Sequence, residues 1–219
     1  MFYWLFNWFV KLTAWIPQKI LLRLKVFYED KSVQSKRIRG AAILVSNHHS
    51  VYDVAVMMFI FWRRTLRCVV AEIMYTKNFI FSLFLRMLGS VKVDRDAHDF
   101  SFLDKCSRIL SRGGVVEIYP EARLPKEGEQ TPLEFKPSAV YLALESGAPI
   151  IPVYNSRRSF ADKPGYVIIG KPINVRELYD DSLDEKTNIS NITLFLRGKI
   201  IELGKELERQ KEEALANRI

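Results

Sequence analysis

Cysteine is almost missing from this 219-residue chain: Cys68 and Cys106 are the only two, and they form no metal-like or redox-like pair motif. A disulfide framework and a cysteine-based zinc site are therefore not expected, and reduced thiols on the cytoplasmic side are the default. Long uninterrupted apolar runs are missing as well. The most apolar stretch, "MFYWLFNWFVKLTAWIPQKILLRLKVFYED", is interrupted by Lys11 and Pro17, whereas a membrane-spanning helix needs about 20 predominantly apolar residues. With no basic n-region before it and no small-residue cleavage site after it, this stretch does not read as a signal peptide. Acidic residues are scarce at this end: Glu29 and Asp30 stand against eight Lys and Arg within residues 1–40. Internal repeats and low-complexity linkers are absent too.

The remainder of the composition is that of a folded protein, with 48% hydrophobic and 26% charged residues, in a length that fills one core or a core plus a small appendage. The net charge is +8, and residues 1–40 supply six of it. The same stretch holds Trp4, Trp8 and Trp15 together with Phe2, Tyr3, Phe6 and Phe9. Aromatic side chains favour the headgroup level of a bilayer, and Lys and Arg can reach from an apolar face toward anionic phosphates. Residues 1–38 are thus expected to form an amphipathic helical hairpin lying in the interface of an anionic membrane surface, with Ile20 to Tyr28 continuing its apolar run. The location expected is the cytoplasmic face of the cell membrane, peripheral or monotopic. A single span and an ordinary buried hairpin are the alternatives.

From about residue 40 short β-branched runs alternate with longer helical segments. "AAILVS" (41–46), "RCVVA" (67–71), "SVKV" (90–93), "GVVEIY" (114–119), "PIIPVY" (149–154) and "YVIIG" (166–170) read as strands, several of them apolar on both faces, as in a covered sheet. Between them lie "VAVMMFIFWRRTL", "YTKNFIFSLFLRML", "DFSFLDKCSRILSR" and "EFKPSAVYLALESG", with Gly89, Gly113 and Gly147 where helices should stop. The expectation for residues 39–219 is an α/β domain: a mostly parallel central sheet flanked by helices, closed by a charged C-terminal helix with an apolar stripe at Ile200, Ile201 and Leu207.

In such sheets function gathers at the C-terminal ends of strands. There "SNHHSVYD" (46–53) follows "AAILV" and holds two of the three histidines. A neutral imidazole there can act as a general base, with a carboxylate fixing its tautomer. Helical periodicity pairs His49 with Asp53, four residues apart. A His48 lying before the first helical turn could fold back to the same carboxylate, and spacing alone does not decide between them. Ser46 or Asn47 could cap the following helix. Two further strand ends deliver Asp94 and Arg95 ("LGSVKVDRD") and Pro120, Glu121 and Arg123 ("GVVEIYPEARLPKEGE").

Together these residues resemble the glycerophospholipid acyltransferases, most closely the 1-acylglycerol-3-phosphate acyltransferases. The NHxSxxD block, with its HxxxxD separation, is matched by Asn47, His48, Ser50 and Asp53. A second block, roughly GxxFxxR, is met by Gly89 and Arg95, with Lys92 where an aromatic is expected. A third, FPEGTR, is met by Tyr119, Pro120 and Glu121. There Ala122 replaces the glycine, and Arg123 and Leu124 stand in place of Thr and Arg. "IIPV" (150–153) matches the fourth, and "FKPSAVYLALESGAP" before it has Ser138 in place of a usual glycine. The resemblance covers roughly residues 38–172.

That resemblance implies transfer of a fatty acyl group from an acyl thioester to a lysophospholipid, most simply lysophosphatidic acid, with no acyl-enzyme. His48 would be the base and Asp53 its partner, while His49 is a variable position. Arg95 and Arg123 would neutralise the acceptor phosphate, Glu121 would organise the acceptor site, and Asn47, Ser50 and Pro120 belong to the matched blocks. Lys92 and Lys136 read as solvated lysines before they read as phosphate contacts. The donor implied is acyl carrier protein or acyl-coenzyme A; no cofactor, metal or nucleic acid is expected. Rival readings are another lysophospholipid or glycerol phosphate as acceptor, a hydrolase built on Ser50, a metal site of His48, His49 and Asp53, and a non-enzymatic membrane adaptor. No GxSxG elbow surrounds Ser50.

Overall fold

The β-branched runs become the strands of one seven-stranded sheet, ordered β1-β7-β6-β2-β5-β3-β4. In chain order these are β1 (Lys25–Tyr28), β2 (Ala42–Ser46), β3 (Leu66–Ala71), β4 (Val91–Val93), β5 (Val115–Ile118), β6 (Ile150–Asn155) and β7 (Tyr166–Ile169). Only β6 and β7 pair antiparallel; every other neighbour pair is parallel. The structure, a computed structural model, describes residues 2–76, 78–94, 101–156 and 164–216. The expected α/β fold, a mostly parallel sheet flanked by helices, is what forms.

Strand alternation explains the layering, because successive side chains leave a strand on opposite faces. Ala42, Leu44, Val115, Ile151, Val153, Val167 and Ile169 point to one face, where α3 (Asp53–Ile60) covers them with Val56, Met57 and Ile60. Ile43, Val45, Val116, Ile118 and Ile150 point to the other, beneath α6 (Ser101–Ser111), α7 (Ser138–Ser146) and α8 (Glu185–Ala216). Along α8, Ile200 and Leu207 are buried as expected, with Leu203 between them, whereas Ile201 is only partly covered.

The N-terminal segment forms the expected pair of helices but departs from the sequence reading after them. Two helices form, α1 (Phe2–Thr13) and α2 (Trp15–Leu22), and Pro17 sits in the first turn of α2, where a missing N–H costs little. Lys25–Tyr28, expected to continue the interfacial run, is instead the edge strand β1, paired in register with β7 from Lys25↔Tyr166 to Tyr28↔Ile169. Arg23, in the left-handed region at φ 43°, turns the chain from helix into strand.

The α1 helix is inside-out. Its buried residues are polar: Asn7 donates to the carbonyls of Tyr3 (3.1 Å) and Leu88 (2.9 Å), and the Lys11 ammonium donates to those of Trp62 (2.9 Å) and Arg64 (2.6 Å). Lys11 is therefore engaged inside the protein, where burial pulls its pKa down to about 8, and it does not reach outward as the sequence suggested. The large apolar side chains face out, Phe9 at 61% exposure and Leu12 at 68%. Farther along, α4 (Ile73–Thr76) is a single turn, and α5 (Phe79–Leu88), which packs on α1, leaves Phe79 81% exposed. No described helix is long and apolar enough to cross a membrane.

This arrangement predicts opposite outcomes for neighbouring substitutions. Lys11→Met should strand two partly buried carbonyls and lower unfolding free energy by about 1–3 kcal/mol. Phe9→Ser should change it by no more than about 0.5 kcal/mol. Urea unfolding of the two variants measures both.

Candidate active site

The turn that leaves β2 is organised by one buried carboxylate. Helix α3 begins only at Asp53, so His48 and His49 both precede it, and the helical pairing of His49 with Asp53 does not apply. Asp53 Oδ2 lies 3.0 Å from His48 Nδ1 and also accepts the backbone N–H groups of His49 (2.7 Å) and Ser50 (2.9 Å). Asp53 Oδ1 accepts the Asn155 side-chain amide at 3.0 Å. With Asp53 only 2% exposed, these donors replace the water it has lost. An ionised carboxylate only accepts, so the pairing puts the proton on His48 Nδ1 and leaves Nε2 with a bare lone pair.

The capping role expected of Ser46 or Asn47 is not taken up. Tyr52 stands at the N-cap of α3 without a side-chain bond. Asn47 instead bridges β2 to β6: its amide donates to the Asn155 carbonyl (2.9 Å) and its oxygen accepts the Asn155 N–H (2.8 Å). Ser46 Oγ faces the Asn47 side-chain oxygen at 3.4 Å. Ser50 serves its own turn, with Oγ accepting the Tyr52 N–H and its carbonyl accepting that of Asp53.

The end of β5 closes the other side. Glu121 is buried, with Oε1 accepting the His48 N–H and Oε2 the Leu133 N–H, both at 2.7 Å. Burial raises its pKa against the pull of those two bonds. It holds the backbone of the histidine turn against that of the Leu133 loop. The neighbouring Pro120 carbonyl accepts the Lys136 N–H, while the Lys136 side chain is exposed. Ala122, where the family pattern has glycine, holds φ 59°, a conformation that costs an L-residue about 1–2 kcal/mol.

Of the two arginines expected to hold the acceptor phosphate, only Arg123 is among the described residues. Arg123 forms a two-bond ion pair with Glu129, at 2.6 and 2.9 Å, so a phosphate there would compete with a carboxylate. Lys92 pairs with Glu72 at 2.5 Å. Arg95 lies outside the described residues.

Three residues near the histidine were not singled out for this role from the sequence. Asn155 locks Asn47 and Asp53 together, and the rule that function gathers at strand ends pointed to it at the close of β6. Tyr119 stacks its ring on His48, centroid to centroid 4.3 Å. The Tyr119 hydroxyl donates to Glu117 Oε1 on the central strand β5. Glu117 is fully buried, its other oxygen has no partner among the described residues, and burial, aided by the nearby Asp53, pushes its pKa up to about 8. No group of three or more His, Cys, Asp or Glu side chains suited to a metal ion occurs among the described residues.

A model of the Acyltransferase family matches residues 24–156, from just before β1 to just after Asn155, and so takes in the whole turn network. The chain belongs to the Acyltransferase family. Over 136 residues it is 28% identical to the Caenorhabditis elegans protein "Putative 1-acyl-sn-glycerol-3-phosphate acyltransferase acl-2", covering 60% of this chain and 47% of that one. Over 120 residues it is 28% identical to the human 1-acyl-sn-glycerol-3-phosphate acyltransferase beta, covering 54% and 42%. The chain thus spans less than half the length of these two relatives. Its fold is similar to the crystal structure of PlsC, the 1-acyl-sn-glycerophosphate acyltransferase of Thermotoga maritima, at TM-score 0.58 and 19% identity, covering 84% of this chain and 73% of that one. In this member of the Acyltransferase family, the network around Asp53 ties the first block of the family pattern to the third and to the end of β6.

Glu117 generates a pH prediction. Its folded pKa lies above the ordinary 4.5, so its contribution to stability is fully present below pH 4.5 and is lost as pH rises through about 8. Glu117→Gln keeps an acceptor for Tyr119 and should flatten that decline, whose limiting slope is about 1.4 kcal/mol per pH unit. Denaturant unfolding across this range checks it.

Proposed function

We propose that this chain transfers a fatty acyl group from an acyl thioester to the free sn-2 hydroxyl of 1-acylglycerol-3-phosphate, at a membrane surface, to give phosphatidic acid. The observation that carries the reading is the His48–Asp53 pair, which directs the unprotonated Nε2 away from the carboxylate. The acceptor hydroxyl gives its proton to His48 Nε2 as its oxygen attacks the thioester carbonyl. Asp53 stabilises the imidazolium that forms. When the tetrahedral intermediate collapses, the carbon–sulfur bond breaks and the imidazolium returns the proton to the departing thiolate. The donor is acyl carrier protein or acyl-coenzyme A.

The choice of acceptor draws support from the names of the two sequence relatives and from the site's surroundings. Val51 and Tyr52, beside the histidines, are about half exposed, and apolar side chains there suit an acceptor that brings an acyl chain. The membrane reading draws support from α1. Each large apolar side chain taken out of water is worth roughly 1.5–3 kcal/mol, yet Phe2, Leu5, Phe9 and Leu12 face outward while Asn7 and Lys11 face in. Leu22 of α2 shares an apolar cluster with Val56 and Met57 of α3, so α2 lies against the helix into which the catalytic turn leads. A peripheral or monotopic protein fits this geometry, and the cytoplasmic face is the side proposed for it.

The test is an acyl-transfer assay crossing 1-acylglycerol-3-phosphate and other lysophospholipids with both donors. His48→Ala should lose about 10²–10⁴-fold in turnover with its fold intact, and His49→Ala should be mild. Normal turnover by His48→Ala would refute the mechanism. A purified wild-type chain with no turnover on any pair would favour a membrane adaptor.

A further inference from the structure

A polar cavity of about 950 Å³ lies beside the edge strand β4, at the opposite end of the parallel strands from the histidines. Its cations come from several elements: Arg64 and Arg67 around the start of β3, Arg86 near the end of α5, and Lys105, Arg108 and Arg112 along α6. No acidic side chain among the described residues lines it. Arg63 and Lys92 line it too; among the described residues Lys92 pairs with Glu72, and none of the other seven cations takes part in an ion pair.

The two innermost guanidiniums are fixed by neutral acceptors. Arg64 donates to the carbonyls of Ile38 (3.0 Å) and Gly113, and burial lowers its pKa. Arg67 donates to the Gly89 carbonyl and lies 4.2 Å from the centroid of the Tyr3 ring. Gly89, at φ 77°, leaves no room for a side chain: a Cβ would meet Arg67 Nε at 2.9 Å. Like charges held together without counter-charge repel one another, and an anion relieves that cost.

The position separates this cavity from the acceptor site. It opens at the starts of parallel strands, whereas His48 follows the end of one. A six-residue strand such as β3 spans roughly 20 Å. The surroundings indicate which anion it takes. Tyr3 and Trp4 of α1 line the cavity, and their neighbours Phe2, Leu5 and Phe9 are the outward apolar side chains of that helix. A soluble anion would use only the cations. A phospholipid would seat its phosphate among them and lay its acyl chains along α1.

We propose that this cavity binds the phosphate headgroup of an anionic phospholipid, as a membrane-anchoring site separate from the catalytic turn. The proposal rests on the interfacial reading of α1. It moves the electrostatic part of membrane binding from the first 40 residues to α6 and the start of β3.

The test measures affinity of the full chain for phosphatidylcholine vesicles with and without phosphatidic acid. It compares wild type with Arg108→Gln/Arg112→Gln, whose residues are exposed, and with a matched control, Lys186→Gln/Lys205→Gln, on α8. The arginine pair should reduce the gain from phosphatidic acid by roughly tenfold or more. It should leave binding to pure phosphatidylcholine unchanged, and the control should behave as wild type. An unchanged gain in the arginine variant overturns the proposal, including the case where that variant instead loses affinity for an acyl carrier protein. Equal losses in both variants overturn it in favour of diffuse surface charge. If inorganic phosphate or sn-glycerol 3-phosphate alone saturates the arginines and abolishes the gain, the ligand is a soluble anion and the lipid assignment falls. If wild type ignores pure phosphatidylcholine yet keeps an arginine-dependent gain, the apolar reading of α1 fails and the headgroup site stands.

Discussion

The Asp53 carboxylate is the charge on which this site depends. A buried carboxylate is tolerated only when donors replace its hydration, and here they come from His48, His49, Ser50 and Asn155. That requirement draws the turn after β2, the first turn of α3 and the end of β6 to one point. The same bonds that stabilise the charge fix the histidine. Tautomer and ring direction are thus consequences of satisfying Asp53.

Around this centre, paired side chains extend the sheet's hydrogen bonding beyond its last residues. Asn47 and Asn155 continue the β2–β6 pairing, and Glu121 ties the histidine backbone to the loop at Leu133. Tyr119 gives the imidazole a flat neighbour and is itself anchored on Glu117. Each of these groups comes from the end of a strand or from the chain just beyond one, so a rigid sheet holds what loops alone would leave loose. The outer surface follows a different logic. In α1 the polar residues are the ones that dock and the apolar ones are the ones presented, which in water is unfavourable and at a lipid surface is not.

Much of this was legible in the sequence. The six expected strands appear because runs such as "AAILVS" and "PIIPVY" are apolar on both faces, and glycines at 89, 113 and 147 end helices in the left-handed region. Lys25–Tyr28 was missed because four residues next to a basic, aromatic helix carry too short an alternation to stand apart. Periodicity misassigned the Asp53 partner because the helix starts at Asp53 itself, and the family register corrected it. Asn155 was not singled out because the strand-end rule marks the close of β6 without showing, from "IIPVY", which strand end faces the turn. The inward direction of Asn7 and Lys11 was equally hidden, since composition gives a helix its amphipathicity without saying which face docks.

The central claim is that Asp53 holds His48 with its proton on Nδ1 and leaves Nε2 free as the base. ¹⁵N NMR of histidine-labelled protein near neutral pH tests it directly, with His49→Ala and His98→Ala variants assigning the resonances. The account predicts a protonated Nδ1 and an unprotonated Nε2 for neutral His48, a preference that Asp53→Asn weakens. A His48 carrying its proton on Nε2 in the unmodified chain would contradict it.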